Sequence, residues 1–213
     1  MNSIEFWFDP ISPYAYLAFE RLPQALEGLS VCVDYRPVLF AGLLQHWGQK
    51  GPAEIEPKRA WTYRDVAWRA HQQGTALELP ARHPFNPLAL LRLCVASAPV
   101  GGTPNRRVVE AVFRHVWQDG QDANHPARLL ALRKALAPAR DPESAEVKAE
   151  LRENTERAAL SGIFGVPTLV FDGRKFWGDD AIPMLSQCLR GDPWFDGPAW
   201  SAAGAPREGL QRR

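Results

Sequence analysis

The sequence predicts an α/β fold in which a large all-helical segment interrupts a small framework of strands and helices. Three observations predict it. Residues 4–38 read as strand, helix, strand, and residues 168–189 as strand, strand, helix. Between them the strand pattern gives way to successive apolar-faced helices, most of them opened by a proline.

Ile4-Glu5-Phe6-Trp7-Phe8 is apolar and aromatic, as a buried strand is. Asp9-Pro10-Ile11 turns the chain, and Ser12-Pro13 is a helix start, with Ser as N-cap and Pro at the first helical position. Tyr14, Leu17, Ala18, Leu22, Ala25 and Leu26 recur at three- and four-residue spacing, and Gly28 is placed to end the helix. Val31 to Val38 reads as a second strand, which a right-handed crossover would lay parallel to the first. In the middle of the chain, helices are expected from Pro57 to Gly74, from Asn86-Pro87 to about Ala98, from Thr103-Pro104 through Val116, from Pro126 to Leu136, and from Asp141-Pro142 to about Leu160. Strands return at 168–171 and 174–177, joined by Asp172-Gly173, a hairpin turn pair. A last helix ends near Leu189, and the Gly-, Pro-, Ala- and Arg-rich stretch beyond Asp192 reads as loosely ordered. The order matches a thioredoxin-like framework, discontinuous over 1–40 and 161–192, with an inserted helical subdomain at 41–160 and a C-terminal tail at 193–213.

Composition excludes several classes. With 25 Lys and Arg against 24 Asp and Glu, no overall field draws nucleic acid or anionic membrane. No apolar run reaches the length of a membrane span. Met1-Asn2-Ser3-Ile4-Glu5 does not resemble a secretory leader. Cys32, Cys94 and Cys188 are far apart and form no C-x-x-C, which fits buried thiols in a reducing, cytoplasmic setting rather than a disulfide scaffold. His46, His71, His83, His115 and His125 lack metal-binding spacing, so no metal is expected.

Four segments could carry chemistry, and each has a plainer alternative. Ser12 places a hydroxyl at a helix N-terminus, where N–H groups and the helix dipole favour an anion such as a thiolate; it could equally be only a cap. Pro167, in Gly165-Val166-Pro167-Thr168, could open a strand or be cis. Asp179 and Asp180 could cap a helix or hold a ligand's ammonium group. Lys58 could be a solvated first-turn residue and Asn86 an N-cap, or both could reach a ligand.

Phe8-Asp9-Pro10-Ile11-Ser12-Pro13-Tyr14-Ala15-Tyr16-Leu17-Ala18, Pro57-Lys58-Arg59-Ala60, Phe85-Asn86-Pro87-Leu88, Phe164-Gly165-Val166-Pro167-Thr168 and Trp177-Gly178-Asp179-Asp180 occur in that order. Together they resemble the 2-hydroxychromene-2-carboxylate isomerases and the kappa-class glutathione S-transferases, within the DsbA-like thioredoxin group. Redox members of that group carry C-P-x-C where this chain has Ser12-Pro13-Tyr14-Ala15, so dithiol exchange is not expected. The resemblance implies that Ser12 is the catalytic hydroxyl facing the sulfur of bound glutathione. It implies a cis Pro167, with Val166 pairing with the cysteinyl part, and Asp179 and Asp180 at the γ-glutamyl end. Lys58 would bind cofactor or substrate and Asn86 substrate, over the cleft.

The implied activity is glutathione-dependent isomerisation of 2-hydroxychromene-2-carboxylate or a related unsaturated aromatic acid. The alternatives are a kappa-class-like transferase that releases a conjugate, or a thioredoxin-fold binding module without catalysis. A small aromatic substrate and a homodimer are further expectations of the resemblance.

Overall fold

A computed structural model describes residues 2–205 of the chain. Four strands form one mixed sheet: β1 (Asn2–Phe8), β2 (Val31–Pro37), β3 (Thr168–Phe171) and β4 (Arg174–Trp177), in the order β2-β1-β3-β4. As expected from the first crossover, β1 and β2 are parallel, Asn2 facing Val31 and Phe8 facing Pro37. β3 runs antiparallel to β1, and β4 antiparallel to β3. Their turn takes positive φ at both Asp172 (48°) and Gly173 (72°), as a tight hairpin of that composition does.

Strand alternation splits the sheet into two faces. Ile4, Phe6 and Phe8 join Leu169 and Phe176 on the first, beneath α1 (Pro13–Ala25). Trp7 lies on the second with Val38, Ile163 and Val166. Covering that face are α2 (Phe40–His46), through Leu43, and the C-terminal half of α7 (Ala145–Leu160), through Ala158 and Ala159. The helices between them are α3 (Glu56–Gln73), α4 (Leu88–Ala96), α5 (Arg106–Trp117) and α6 (Pro126–Leu136). The sheet and these helices share one core: the α5 ring of Phe113 lies 5.4 Å from Phe8 and 5.2 Å from Phe19.

Three features depart from expectation. α2 has no local signal: its N-cap, Leu39, makes no side-chain cap. Distant groups do that work, with Thr155 Oγ1 accepting the Leu39 N–H at 3.0 Å and Asp9 Oδ2 accepting the Phe40 N–H at 2.9 Å. Gly42 lets α2 seat against α7, since a Cβ there would lie 2.8 Å from the Thr155 methyl. Second, α5 and α7 begin two to three residues later than their prolines suggest, because Asn105 and Ser144 are the true caps, accepting the Val108 and Val147 N–H groups.

Third, the segment after Asp192 is ordered as far as it is described. A 3₁₀ turn, Pro193–Asp196, precedes α9 (Pro198–Ala203), beyond α8 (Ile182–Leu189). Phe195 is buried, and its ring and that of Trp200 pack on Phe176 at 6.1 and 6.2 Å. Two aromatic anchors outweigh the loop-like composition around them. Residues 206–213 of the expected tail lie outside the described residues.

Candidate active site

The site lies where β1 ends and α1 begins. Ser12 caps α1 in extended conformation (φ −87°, ψ 116°), and its Oγ accepts the Ala15 N–H at 3.2 Å. The same hydroxyl donates to the Val166 carbonyl, also at 3.2 Å. Val166–Pro167 is cis, as is His83–Pro84. The N-terminus of the helix is less open than its sequence suggests. Pro13 has no N–H, and those of Ala15 and Tyr16 turn back onto Ser12. Among the described residues that leaves the Tyr14 N–H, with the positive end of the helix dipole, facing outward from the first turn.

Asp9 is the residue the motif reading passed over. It is fully buried, and its two oxygens accept from Ile11 N (3.0 Å) and Phe40 N (2.9 Å). One carboxyl thus fixes both the turn before Ser12 and the start of α2. Burial pushes its pKa up to about 7 against the opposing pull of those two N–H groups.

The helical segment reaches the site from the other side. The Tyr14 hydroxyl donates to Asp65 Oδ2 at 2.9 Å, and Asp65 pairs with Arg69 at 2.7 Å. Burial and then Asp65 raise Tyr14 to about 12, so it stays a protonated donor. Lys58, Thr62 and Asp65 share one strip of α3 at i, i+4 and i+7, which sets exposed Lys58 about two turns along the helix from Asp65, the partner of the Tyr14 hydroxyl. Asn86 is exposed, and its Oδ1 accepts the Leu88 N–H at 3.0 Å, opening α4.

The two acids after Gly178 part company. Asp180 is exposed. Asp179, 1% exposed, is enclosed by Arg69 (3.4 Å), Gln73 (3.5 Å) and Arg21 (3.9 Å), and its Oδ1 has no hydrogen-bond partner. Burial raises its pKa against the pull of Arg21 and Arg69. The structure therefore brings Ser12, Val166 and Pro167 together directly. Lys58, Asn86 and Asp180 stand exposed on the surrounding elements, and Asp179 lies within the wall. Beside Val166, Phe164 and Trp177 form an exposed aromatic pair 4.9 Å apart. Gly165 is what admits it, since a Cβ there would sit 2.6 Å from the Trp177 ring nitrogen.

A family profile described as "DSBA-like thioredoxin domain" matches residues 3–190. The chain belongs to the DSBA-like thioredoxin family. Within it, this member is 28% identical to glutathione S-transferase kappa 2 of Caenorhabditis elegans, over 92% of this chain and 94% of that protein. It is 26% identical to a 2-hydroxychromene-2-carboxylate isomerase of Sphingobium xenophagum, over 88% of this chain and 98% of the relative. A solved structure of a 2-hydroxychromene-2-carboxylate isomerase superposes with a TM-score of 0.77 at 22% identity, covering 88% of this chain and 94% of that one, which shows a shared fold. The DSBA-like framework here carries a serine, not a thiol, at the head of α1, and its three cysteines are all free. Cys94 is buried, and burial pushes its thiol far up.

Proposed function

We propose that this chain is a glutathione-dependent isomerase acting by reversible thiol addition on 2-hydroxychromene-2-carboxylate or a related unsaturated aromatic acid. The observation that carries the reading is the Ser12 hydroxyl, at the N-terminus of α1 and against the Val166 carbonyl, in a chain with no cysteine at that point. Relatives whose names include both glutathione transferases and this isomerase support the enzyme class.

The residues suit glutathione on structural grounds. A hydroxyl proton that already bridges to a carbonyl can swing to a stronger acceptor, and the dipole of α1 favours a thiolate there. Asp180 offers an open carboxylate to an ammonium group, while Asp179 stays in the wall behind it, facing Arg21 and Arg69. When bound, glutathione supplies a thiol that adds to an activated carbon–carbon double bond and later leaves, so that the bond can rotate in between.

The chain's own groups do the rest. Ser12 exchanges its Val166 acceptor for the sulfur and donates to it, with the Tyr14 N–H alongside. The Val166 backbone, ahead of Pro167, pairs with the cysteinyl part. Asp179 and Asp180 set the charge at the γ-glutamyl end. Lys58 meets the substrate carboxylate or the developing enolate, and Asn86 a further polar group. The protein acts in the cytoplasm as a homodimer on this reading.

Product analysis tests it. Incubation with substrate and a small amount of glutathione should yield many turnovers of isomer with the thiol recovered intact. Glutathione consumed into a conjugate would make the protein a transferase. No glutathione-linked heat in calorimetry and no turnover would leave a binding module.

A further inference from the structure

We infer that His83 is a positioning residue for Ser12, holding the turn before it from the inserted helices. The inference rests on the glutathione reading only for its effect on turnover. Its geometry stands alone.

The chain must change direction between β1 and α1 within Asp9-Pro10-Ile11, and each backbone group so exposed needs a partner. Two are met locally: the Ile11 N–H by Asp9 Oδ1 and the Ser12 N–H by the Asp9 carbonyl. The two carbonyls just before Ser12 are met from far away. Trp117 Nε1, at the end of α5, donates to the Pro10 carbonyl at 2.9 Å, and His83 Nε2 lies 2.8 Å from the Ile11 carbonyl. The Ile11 carbonyl belongs to the peptide plane that leads into Ser12. Fixing that plane fixes the direction in which Ser12 Oγ leaves the backbone.

His83 is itself held. A carbonyl only accepts, so Nε2 carries the proton. In the neutral ring Nδ1 then accepts, and the Tyr63 hydroxyl of α3 stands 2.8 Å from it. The ring also packs 5.5 Å from Trp117 and 6.0 Å from Phe85. Burial, and then the charge of Arg59, lower its pKa, so the ring is neutral at pH 7. The Tyr63 hydroxyl also lies 3.2 Å from the His83 carbonyl, so it has a second acceptor should Nδ1 gain a proton. The Nε2–Ile11 bond therefore survives either state. Tyr63, His83 and Ile11 form a relay from α3 to the turn that aims Ser12.

The test uses His83→Leu, His83→Gln and Tyr63→Phe in the full chain. Gln reaches about as far as Nε2 and keeps an N–H for the Ile11 carbonyl; Leu does not. Amide hydrogen exchange of Ile11 and Ser12, measured without glutathione, should quicken in His83→Leu and return toward wild type in His83→Gln. Tyr63→Phe, which frees the ring to adopt the wrong tautomer, should fall between. In turnover, His83→Leu should lose about ten-fold in kcat with KM for glutathione changed less than two-fold, the size expected of one neutral hydrogen bond. Gln should recover most of the loss. Unchanged exchange in a folded His83→Leu, or equal effects of Leu and Gln, would overturn the inference. If His83→Leu does not fold, Tyr63→Phe decides by the same exchange measurement. A protein with no glutathione-dependent turnover but this exchange pattern would keep the relay and lose the functional reading.

Discussion

At the scale of single residues, the site turns on one hydroxyl and one carboxyl. On the proposed glutathione reading, Ser12→Ala removes a donor to a charged partner, worth roughly 1.5–3 kcal/mol, so turnover should fall about 10- to 150-fold while the dipole of α1 sustains a remainder. Loss of the cap should cost only about 1 kcal/mol of stability. The limb of the pH–rate profile that reports thiolate should move to higher pH, because the anion has lost a donor. An unchanged rate and profile in the folded variant would reduce Ser12 to a helix cap. Asp9 is a separate case. Its folded pKa of about 7 lies above its ordinary value of 3.8, so the folded state holds its proton more tightly than the unfolded chain does. Its contribution to stability is therefore largest below about pH 4 and declines as pH rises toward 7. Asp9→Asn lacks that decline, so its stability relative to wild type should improve steadily over this interval and level off above it. Urea unfolding at several pH values reads the difference; an unfolding free energy of Asp9→Asn that stays constant or falls relative to wild type as pH rises would show that the carboxyl is not strained by burial. Ser12 was legible in the sequence because a Ser-Pro helix start is a local signal. The bonds from His83 and Trp117 were not, because they join residues 72 and 107 positions apart.

At the scale of elements, what the sequence announced were pieces with their own punctuation. Proline-opened α3 and α6, the Asp172-Gly173 hairpin and the aromatic β1 all carry their boundaries within a few residues. α2 carries none. Its caps arrive from Asp9, 31 residues before, and Thr155, 116 residues after, and neither is visible in Phe40-Ala41-Gly42-Leu43. Thr155→Val keeps the shape and removes the oxygen, leaving the Leu39 N–H without its partner. It should cost about 1–3 kcal/mol in denaturant unfolding. A neutral result would mean that α2 is held by its apolar face alone. The separation of Asp179 from Asp180 was hidden for a similar reason. A 3₁₀ turn, Asp179–Ala181, sends one inward to Arg69 and leaves the other in water, which adjacency in sequence cannot foretell.

At the scale of the whole molecule, the inserted helices are not an appendage. Phe113 of α5 packs among Phe8, Tyr16 and Phe19, so the sheet and the helical segment are stabilised by the same contacts. Phe113→Ala should cost about 3–5 kcal/mol. Far- and near-ultraviolet circular dichroism should still report one coincident unfolding transition. Two separated transitions would mean two cores. The Ser12–Val166 bond, between residues 154 positions apart, carries a further consequence for how the protein comes into being. A ribosome releasing the chain from its N-terminus delivers the Ser12 hydroxyl early and its carbonyl partner only after every helix of the insertion. A nascent or prematurely stopped chain of 160 residues holds Ser12, Tyr63, His83 and Trp117, yet has no β3 against β1 and nothing for the hydroxyl to lean on. Function is thus postponed to the closing stage of synthesis, and a nonsense mutation anywhere before Val166 yields a product without a site.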